Sequence, residues 1–287
     1  MQCPLCRSGN IQKLPPYYEF HSQIFDLHRC RSCAIIFVYP QPDEETIRAM
    51  YDKNYFESDY HCGHTQQSAF DLSESVLPSW VAQINLQKSA RVLEIGCATG
   101  YTLHGFQQAG YDCTGIEISD DAARFAREQL GLRVIAGEIN SVTLNETFDL
   151  IYLLDVFEHL PAPDATLQRI KSWLKPDGHL IIVIPTQTNT LFSRFGIGVF
   201  SMLDLRSKIH LPPYHLFEYR PKTFRTMLTN AGFSRIGFHP DIIPPSEIAL
   251  RSSFLQNLSK KCFHYPNYIL TKWFGSFGDR LTAIIQL

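Results

Sequence analysis

The sequence predicts an α/β fold, a largely parallel sheet covered by helices on both faces, preceded by a small metal-stapled module. Two patterns carry the prediction. From Ala90 to Pro185, strand-length apolar runs alternate with helical stretches that end in glycine, the rhythm of a sheet built from crossover units. Ahead of them, four cysteines stand as two CxxC pairs within the first 33 residues. Bulk properties agree: 287 residues, 45% hydrophobic and 13% aromatic, give a sizeable core with room for a small accessory unit.

The accessory unit is placed at residues 1–40. Cys3-Pro4-Leu5-Cys6 and Cys30-Arg31-Ser32-Cys33 enclose 23 residues. YYEFHSQIFDLHRC alternates as a pair of strands and CAIIFVYP continues as a third. Two such knuckles deliver four thiolates to one tetrahedral Zn²⁺ at ~2.3 Å, leaving no open position, so the metal is structural. About 40 residues bury too little to stand alone, and structural zinc contributes roughly 10–16 kcal/mol. The competing reading is four thiols packed as small hydrophobes, or a redox pair. Residues 41–88 read as a linker and helical cap, with helical stretches at Asp43–Tyr51 and Ser68–Gln87. Within it, His61-Cys62-Gly63-His64 reads as a turn or a loop near the active site, because adjacent ligands converge poorly on one ion.

The regular part opens with ARVLEIG as a strand, then a helix Tyr101–Ala109 closed by Gly110, then the strand YDCTGIEIS. Ser119 caps DDAARFAREQL, whose acids sit in the first turn, and Gly131 ends it. LRVIAG, FDLIYLLDV and HLIIVIP follow as strands, with a helix Asp164–Leu174 before the last. The first turn, Gly96-Cys97-Ala98-Thr99-Gly100, is preceded by Glu94. It is neither the GxGxxG that seats a pyrophosphate nor the GxxxxGK[ST] of a triphosphate loop. An acid at the mouth of the first strand repels phosphate and welcomes an amino group. S-adenosylmethionine has an amino group and no phosphate. At the end of the second strand, Glu117 is placed to accept from both ribose hydroxyls, as acids do in other nucleotide folds.

ExGxxxG, GIEIS, AGEI, FDLIYLLDVFEHL and LKPDGHLIIVIP, in that order between Ala90 and Pro185, resemble the motifs of class I S-adenosylmethionine-dependent methyltransferases. The resemblance implies a Rossmann-like seven-stranded methyltransferase sheet over residues 89–287. Glu94 with Gly96, Cys97, Ala98 and Gly100 would hold the methionine part, and Glu117 with Ile118 the ribose and adenine edge. Gly137, Glu138 and Ile139 would line the adenine, and Leu154 and Asp155 would lie beneath the sulfonium. Ala98 stands where family members commonly have a third glycine. For each carboxylate the plain alternative is a helix cap or loop acid. The knuckles, DVFEHL and the later PPYHLFEYRPKTF also resemble bacterial methyltransferases that begin with a zinc-binding module, the deoxysugar C-methyltransferases among them. Those usually carry an acid where this chain has Tyr214, and continue into a further domain where this one stops at Leu287.

On the acceptor side, Pro221–Ala231 reads as a helix, with Pro in its first turn, Phe224, Met227, Leu228 and Ala231 on one face and Gly232 after it. That places His215 just before a helix N-terminus. Residues 189–213, rich in Phe, Leu and Met, read as a lid over the acceptor pocket or as a crossover packed on the helices. Residues 241–287 hold helices and a last strand, after the strand FSRIGFHP. DRLTAIIQL is that last strand, and the resemblance implies one antiparallel member in this pair. Ser246–Phe274 between them reads as helical, its aromatics core or a membrane-surface contact. Tyr55, Phe56 and Tyr60 close the pocket or seam the module to the core. The candidate bases are His159 and His215, with Glu158 as orienting or proton-accepting partner; either histidine could instead only pack or bind substrate.

The expected function is methyl transfer from S-adenosylmethionine to an oxygen or carbon of a small-molecule acceptor in secondary-metabolite, quinone or sugar biosynthesis. An RNA methyltransferase and a non-catalytic cofactor-binding scaffold compete with it. The 26 basic against 28 acidic residues speak against a nucleic-acid partner. No apolar run approaches the ~20 residues of a membrane span, and MQCPLCRSGN lacks a secretory h-region. A cytoplasmic protein is expected, and homodimer formation is left open.

Overall fold

The computed structural model describes residues 1–51, 55–56, 77–203, 206–245, 254–275 and 277–287. Tyr60, the His61–His64 cluster, residues 68–76 of the expected helical cap and residues 246–253 lie outside that set.

The chain begins as an antiparallel meander of β1 (Ile11–Phe20), β2 (Gln23–Cys30) and β3 (Ile36–Tyr39). His21 and Ser22 turn β1 into β2 with φ of 47° and 62°, the left-handed pair whose twist suits a two-residue hairpin. β1 starts ahead of the Tyr17 expected from alternation. Pro15 and Pro16 hide its first half, and they sit where the register shifts between Lys13 and Tyr17, a place that tolerates a missing N–H. α1 (Glu44–Met50) starts on Asp43, which accepts the Thr46 N–H at 2.8 Å. Residues 79–83 form one tight 3-10 stretch and not the α-helix expected to reach Gln87, because Trp80 is drawn into the core against Tyr152, ring centroids 5.5 Å apart.

The regular part runs β4 (Arg91–Ile95), α2 (Tyr101–Gln108), β5 (Asp112–Glu117), α3 (Asp120–Leu130), β6 (Arg133–Ala136), β7 (Phe148–Leu154), α4 (Pro163–Trp173) and β8 (Leu174–Pro185). It continues with α5 (Leu191–Met202), β9 (Ser207–Ile209), β10 (Phe217–Glu218), α6 (Pro221–Asn230), β11 (Arg235–Asp241), α7 (Phe254–Phe274) and β12 (Arg280–Gln286). Seven strands form one sheet in the order β11-β12-β8-β7-β4-β5-β6. β12 runs antiparallel to both neighbours and the other recorded pairings are parallel, as the resemblance implied. Its central strands are apolar on both faces, as a doubly covered sheet requires. Leu93, Ile95, Ile151, Leu153, Ile182 and Ile184 face one core layer, and Val92, Leu150, Tyr152, Ile181 and Val183 the other. No helix among the described residues is long and apolar enough to cross a membrane.

The amino-terminal meander is not completed within residues 1–40. β9 adds to β1 in parallel and β10 to β3 antiparallel, giving a second sheet in the order β10-β3-β2-β1-β9. One face carries Cys30, Phe37 and Phe217 into the main core beside Tyr219 and Phe224. The other carries Leu14, Phe25, Leu27, Ile36 and Val38, with Ile197 of α5 and Ile209 packed against them. The segment 189–213 is therefore helix and edge strand at once. β10 also separates His215 from the start of α6, so this histidine does not stand at a helix N-terminus as expected.

Candidate active site

The two knuckles are the same turn made twice. Arg7 N–H donates to Cys3 O at 3.0 Å and Ala34 N–H to Cys30 O at 2.9 Å, with Arg7 and Ala34 both left-handed at 59° and 65°. The turns bring Cys3 Sγ to 3.6 Å from Cys33 Sγ and Cys6 Sγ to 3.5 Å from Cys30 Sγ. All four sulfurs lie within 4.8 Å of one another. A regular tetrahedron of thiolates at ~2.3 Å from Zn²⁺ has edges of about 3.8 Å, so the donor set and its spacing fit that ion.

Between the sheets lies a cavity of about 1560 Å³. It opens where strand order reverses between β4 and β7, the place where open α/β sheets bind ligands. Gly96, Ala98, Glu117, Ile118, Gly137, Glu138, Ile139, Leu154 and Asp155 all line it. Glu94, Cys97 and Gly100 do not.

The reasons lie in the turn after β4. Gly96 has φ of 72°, and a Cβ there would meet Val156 at 2.5 Å, so only glycine fits. Ala98 is held left-handed at 49°, the conformation that a glycine would adopt without penalty. Glu117 supplies the compensation: its Oε2 accepts the Ala98 N–H at 2.8 Å and its Oε1 the Ser119 N–H at 2.9 Å. Each oxygen keeps a lone pair for a ligand hydroxyl. Burial pushes the Glu117 carboxyl up, against the three backbone amides that favour its charge. Glu94 is buried behind the turn, where Tyr152 donates to its Oε2 at 2.9 Å, and burial pushes it up to about 8. Cys97 points into the sheet beside Gly115, and Gly100 starts α2. Glu138 accepts from Asn140 N–H at 2.7 Å and Asn140 Nδ2 at 2.8 Å, and so caps its own turn at the cavity wall.

Asp155 follows β7 at φ of 53°, with Arg280 of β12 2.9 Å from its Oδ2. Its side chain is 39% exposed, all the same set deep among protein atoms. That depth pushes it up to about 6, against the pull of the Arg280 charge.

Glu158, His159 and His215 come together on the other side of the cavity. Glu158 is 1% exposed. Its nearest partners are His159 Nε2 at 3.4 Å and His215 Nε2 at 3.9 Å, and neither oxygen has a hydrogen bond of ordinary length. Burial opposes its charge, but the two imidazoles outweigh burial and hold it below the usual carboxylate range. The far side of His159 is held as well: Nδ1 lies 2.6 Å from the Tyr51 hydroxyl. His215 Nδ1 lies 3.2 Å from Glu218 Oε1. Burial works against the His215 cation, yet the Glu218 hydrogen bond and the charges of Glu158, Glu218 and Asp155 raise it to about 9. That rise favours the His215 cation at neutral pH. Tyr55 and Tyr214, ring centroids 5.1 Å apart, complete an aromatic wall with Tyr51.

Three members of this site escaped the sequence reading. Tyr51 was read only as the end of a helix, Glu218 was part of a motif without a role, and Arg280 opened a plain strand. Nothing local marks an arginine as the partner of an aspartate 125 positions earlier; only the pairing of β12 beside β8 brings them together.

A family profile described as "Methyltransferase domain" matches residues 69–236, more than half of the chain. The chain belongs to this methyltransferase family. The seven-stranded sheet with its antiparallel β12 is that of the class I S-adenosylmethionine-dependent methyltransferases. Among curated relatives, a ubiquinone biosynthesis O-methyltransferase from Azoarcus sp. (strain BH72) is 26% identical over 157 residues, 51% of this chain and 65% of its own. One of the same name from Actinobacillus pleuropneumoniae serotype 7 is 30% identical over 129 residues, 41% of this chain and 55% of its own. The methyltransferase thus spans about half to two thirds of the length of the relatives it matches. A solved chain from the complex of the Haloferax volcanii Trm112 methyltransferase activator with a methyltransferase shares the fold. It has a TM-score of 0.53 and 14% identity over 86% of this chain and 99% of that one.

Proposed function

We propose that this methyltransferase moves a methyl group from S-adenosylmethionine to a hydroxyl oxygen of a small-molecule acceptor. One observation carries the reading. Tyr51, His159 and Glu158 form a line of hydroxyl, imidazole and buried carboxylate, and Tyr51 and His159 open on the same cavity as the cofactor turn. The names of the curated relatives favour oxygen over carbon.

When bound, S-adenosylmethionine supplies an electrophilic methyl group on a sulfonium. Glu117 would accept the ribose hydroxyls, while Gly96 and Ala98 let the backbone approach the methionine part. Glu94 would act from behind, by fixing the turn through Tyr152. On the acceptor side, Glu158 would orient His159 through its Nε2. The acceptor's proton passes to His159 Nδ1, with the Tyr51 hydroxyl as the relay. His215, held between Glu158 and Glu218, would add positive charge to this end of the cavity. The tyrosine wall excludes water from the line of displacement. The four cysteines would hold a structural Zn²⁺ and so brace the opposite wall.

The test is single-turnover methyl transfer to a panel of phenols and catechols, read by mass spectrometry. His159→Gln should cut the rate by about 10²–10⁴-fold, the usual worth of a positioned base, and Tyr51→Phe should lower it with S-adenosylhomocysteine affinity intact. A His159→Gln enzyme as fast as wild type would sink the proposal.

A further inference from the structure

The cavity must hold the cofactor and the acceptor together. At about 1560 Å³ it has room for two ligands on the roughly 300–1,000 Å³ scale of ordinary small-ligand pockets, and so for an acceptor of some length. Its far part lies between the small sheet and α5, and its walls there are mainly aliphatic. Leu14, Leu27, Ile36, Ile197 and Ile209 line it with the hydroxyls of Tyr18, Ser193 and Ser207, and β1, β2, β3, β9 and α5 contribute no charged side chain to it. Most charged groups of the lining gather at the cofactor end, Glu117, Glu138 and Asp155 with His159, His215 and Arg280, while Glu44 of α1 and Glu218 of β10, the strand partner of Ile36, also line the cavity. A space walled by aliphatic groups holds water poorly and takes apolar matter instead.

We propose that the acceptor is an amphiphile, its hydroxyl-bearing head at His159 and a hydrocarbon tail in the chamber between the small sheet and α5. The inference rests on the hydroxyl-methylation reading above and names its substrate class. It gives the amino-terminal sheet a second task. Besides holding the cysteine knuckles, its cavity-facing side chains are the tail's wall, which β9 extends beyond β1, and the chain brings α5 back to close the opposite side.

α5 offers a clean way to fill the chamber. Gly196 lines it, and a Cβ added there meets nothing within 4 Å, so a larger side chain enters open space. A mid-helix glycine replaced by another residue also favours the helix. Gly198, two residues on, is exposed and equally uncrowded but is not part of the lining, which makes it the control.

The experiment measures N-phenyl-1-naphthylamine fluorescence with the full-length protein, displaced by methyl-, octyl- and pentadecylcatechol, with S-adenosylhomocysteine binding followed by calorimetry alongside. Affinity for the catechols should climb with chain length, by up to roughly three- to fourfold per buried methylene. Gly196→Phe should weaken pentadecylcatechol at least tenfold and Gly198→Phe should not, with S-adenosylhomocysteine bound equally by all three proteins. Equal affinity for the short and long catechols, or a Gly196→Phe protein that binds the long one as wild type does, overturns the tail chamber. Methylation of methylcatechol as efficient as that of pentadecylcatechol would also overturn it while leaving the hydroxyl reading in place. Tail binding that Gly196→Phe abolishes, with no methyl transfer to any catechol, would keep the chamber and reject the hydroxyl reading.

Discussion

Glu94 and Glu117 are equally buried, at 4% exposure, near the ends of neighbouring strands, yet only Glu117 faces the cavity. Glu117 lines the cavity with two backbone amides on its carboxylate, and Glu94 looks back at Tyr152. Glu117→Ala should therefore lose one or two charge-assisted hydrogen bonds to the ribose, roughly 1.5–3 kcal/mol, and weaken S-adenosylmethionine about 10–100-fold in calorimetry. His215 gives a prediction in pH. Its value of about 9 lies above the ordinary 6.5, so its stabilisation is fully present below about pH 6.5 and is lost as pH rises toward 9. The amount is on the order of 3 kcal/mol. Thermal scans should show the melting temperature falling between pH 7 and 10, and the fall should shrink in His215→Asn. At this scale the sequence was readable wherever a residue closed a strand, as Gly96, Glu117 and Asp155 do. It was unreadable for Tyr51 and Arg280, whose partners are set by contacts across the fold, and for Glu218, whose neighbour His215 becomes a partner only through the turn into β10.

Among the elements, the small sheet depends on segments far from it in the chain. Loss of the metal should show this. Chelation by 1,10-phenanthroline should release amide protection in β1, β2 and β3, and in β9 and β10 with them, while β4, β5, β7 and β8 keep theirs in hydrogen-exchange mass spectrometry. Retention of protection in β9 after β1 has lost it would contradict the shared sheet. The central strands of the main sheet could be read from their apolar runs, because buried strands carry their own signal, whereas β11 is exposed or half-buried along its length. β9 and β10 could not, since three and two residues are too few for any period to emerge. The same shortage of signal left the segment 189–213 open between lid and crossover, when it forms part of both a wall and a sheet.

Taken whole, the described residues of the cysteine module and of the methyltransferase sheet share one core. Phe37, 2% exposed, belongs to the meander by sequence and to the main core by packing, beside Phe217 and Tyr219. Phe37→Ala should therefore cost about 3–5 kcal/mol, as truncations of buried aromatic residues do. The loss should appear as a lower midpoint of the main cooperative transition in urea. A second, early transition with the main midpoint unchanged would show that the module unfolds on its own.

The two edge strands of the small sheet also set an order of events during synthesis. Tyr17 pairs with Lys208 and Phe37 with Phe217, separations of 191 and 180 positions along the chain. A ribosome adding about 5–20 residues per second needs roughly ten seconds or more to bridge such a gap. Residues 1–40 thus emerge well before the strands that complete their sheet. Their four thiols wait in the open through that interval, and early metal capture would hold the meander together and shield its cysteines from oxidants until its neighbours arrive.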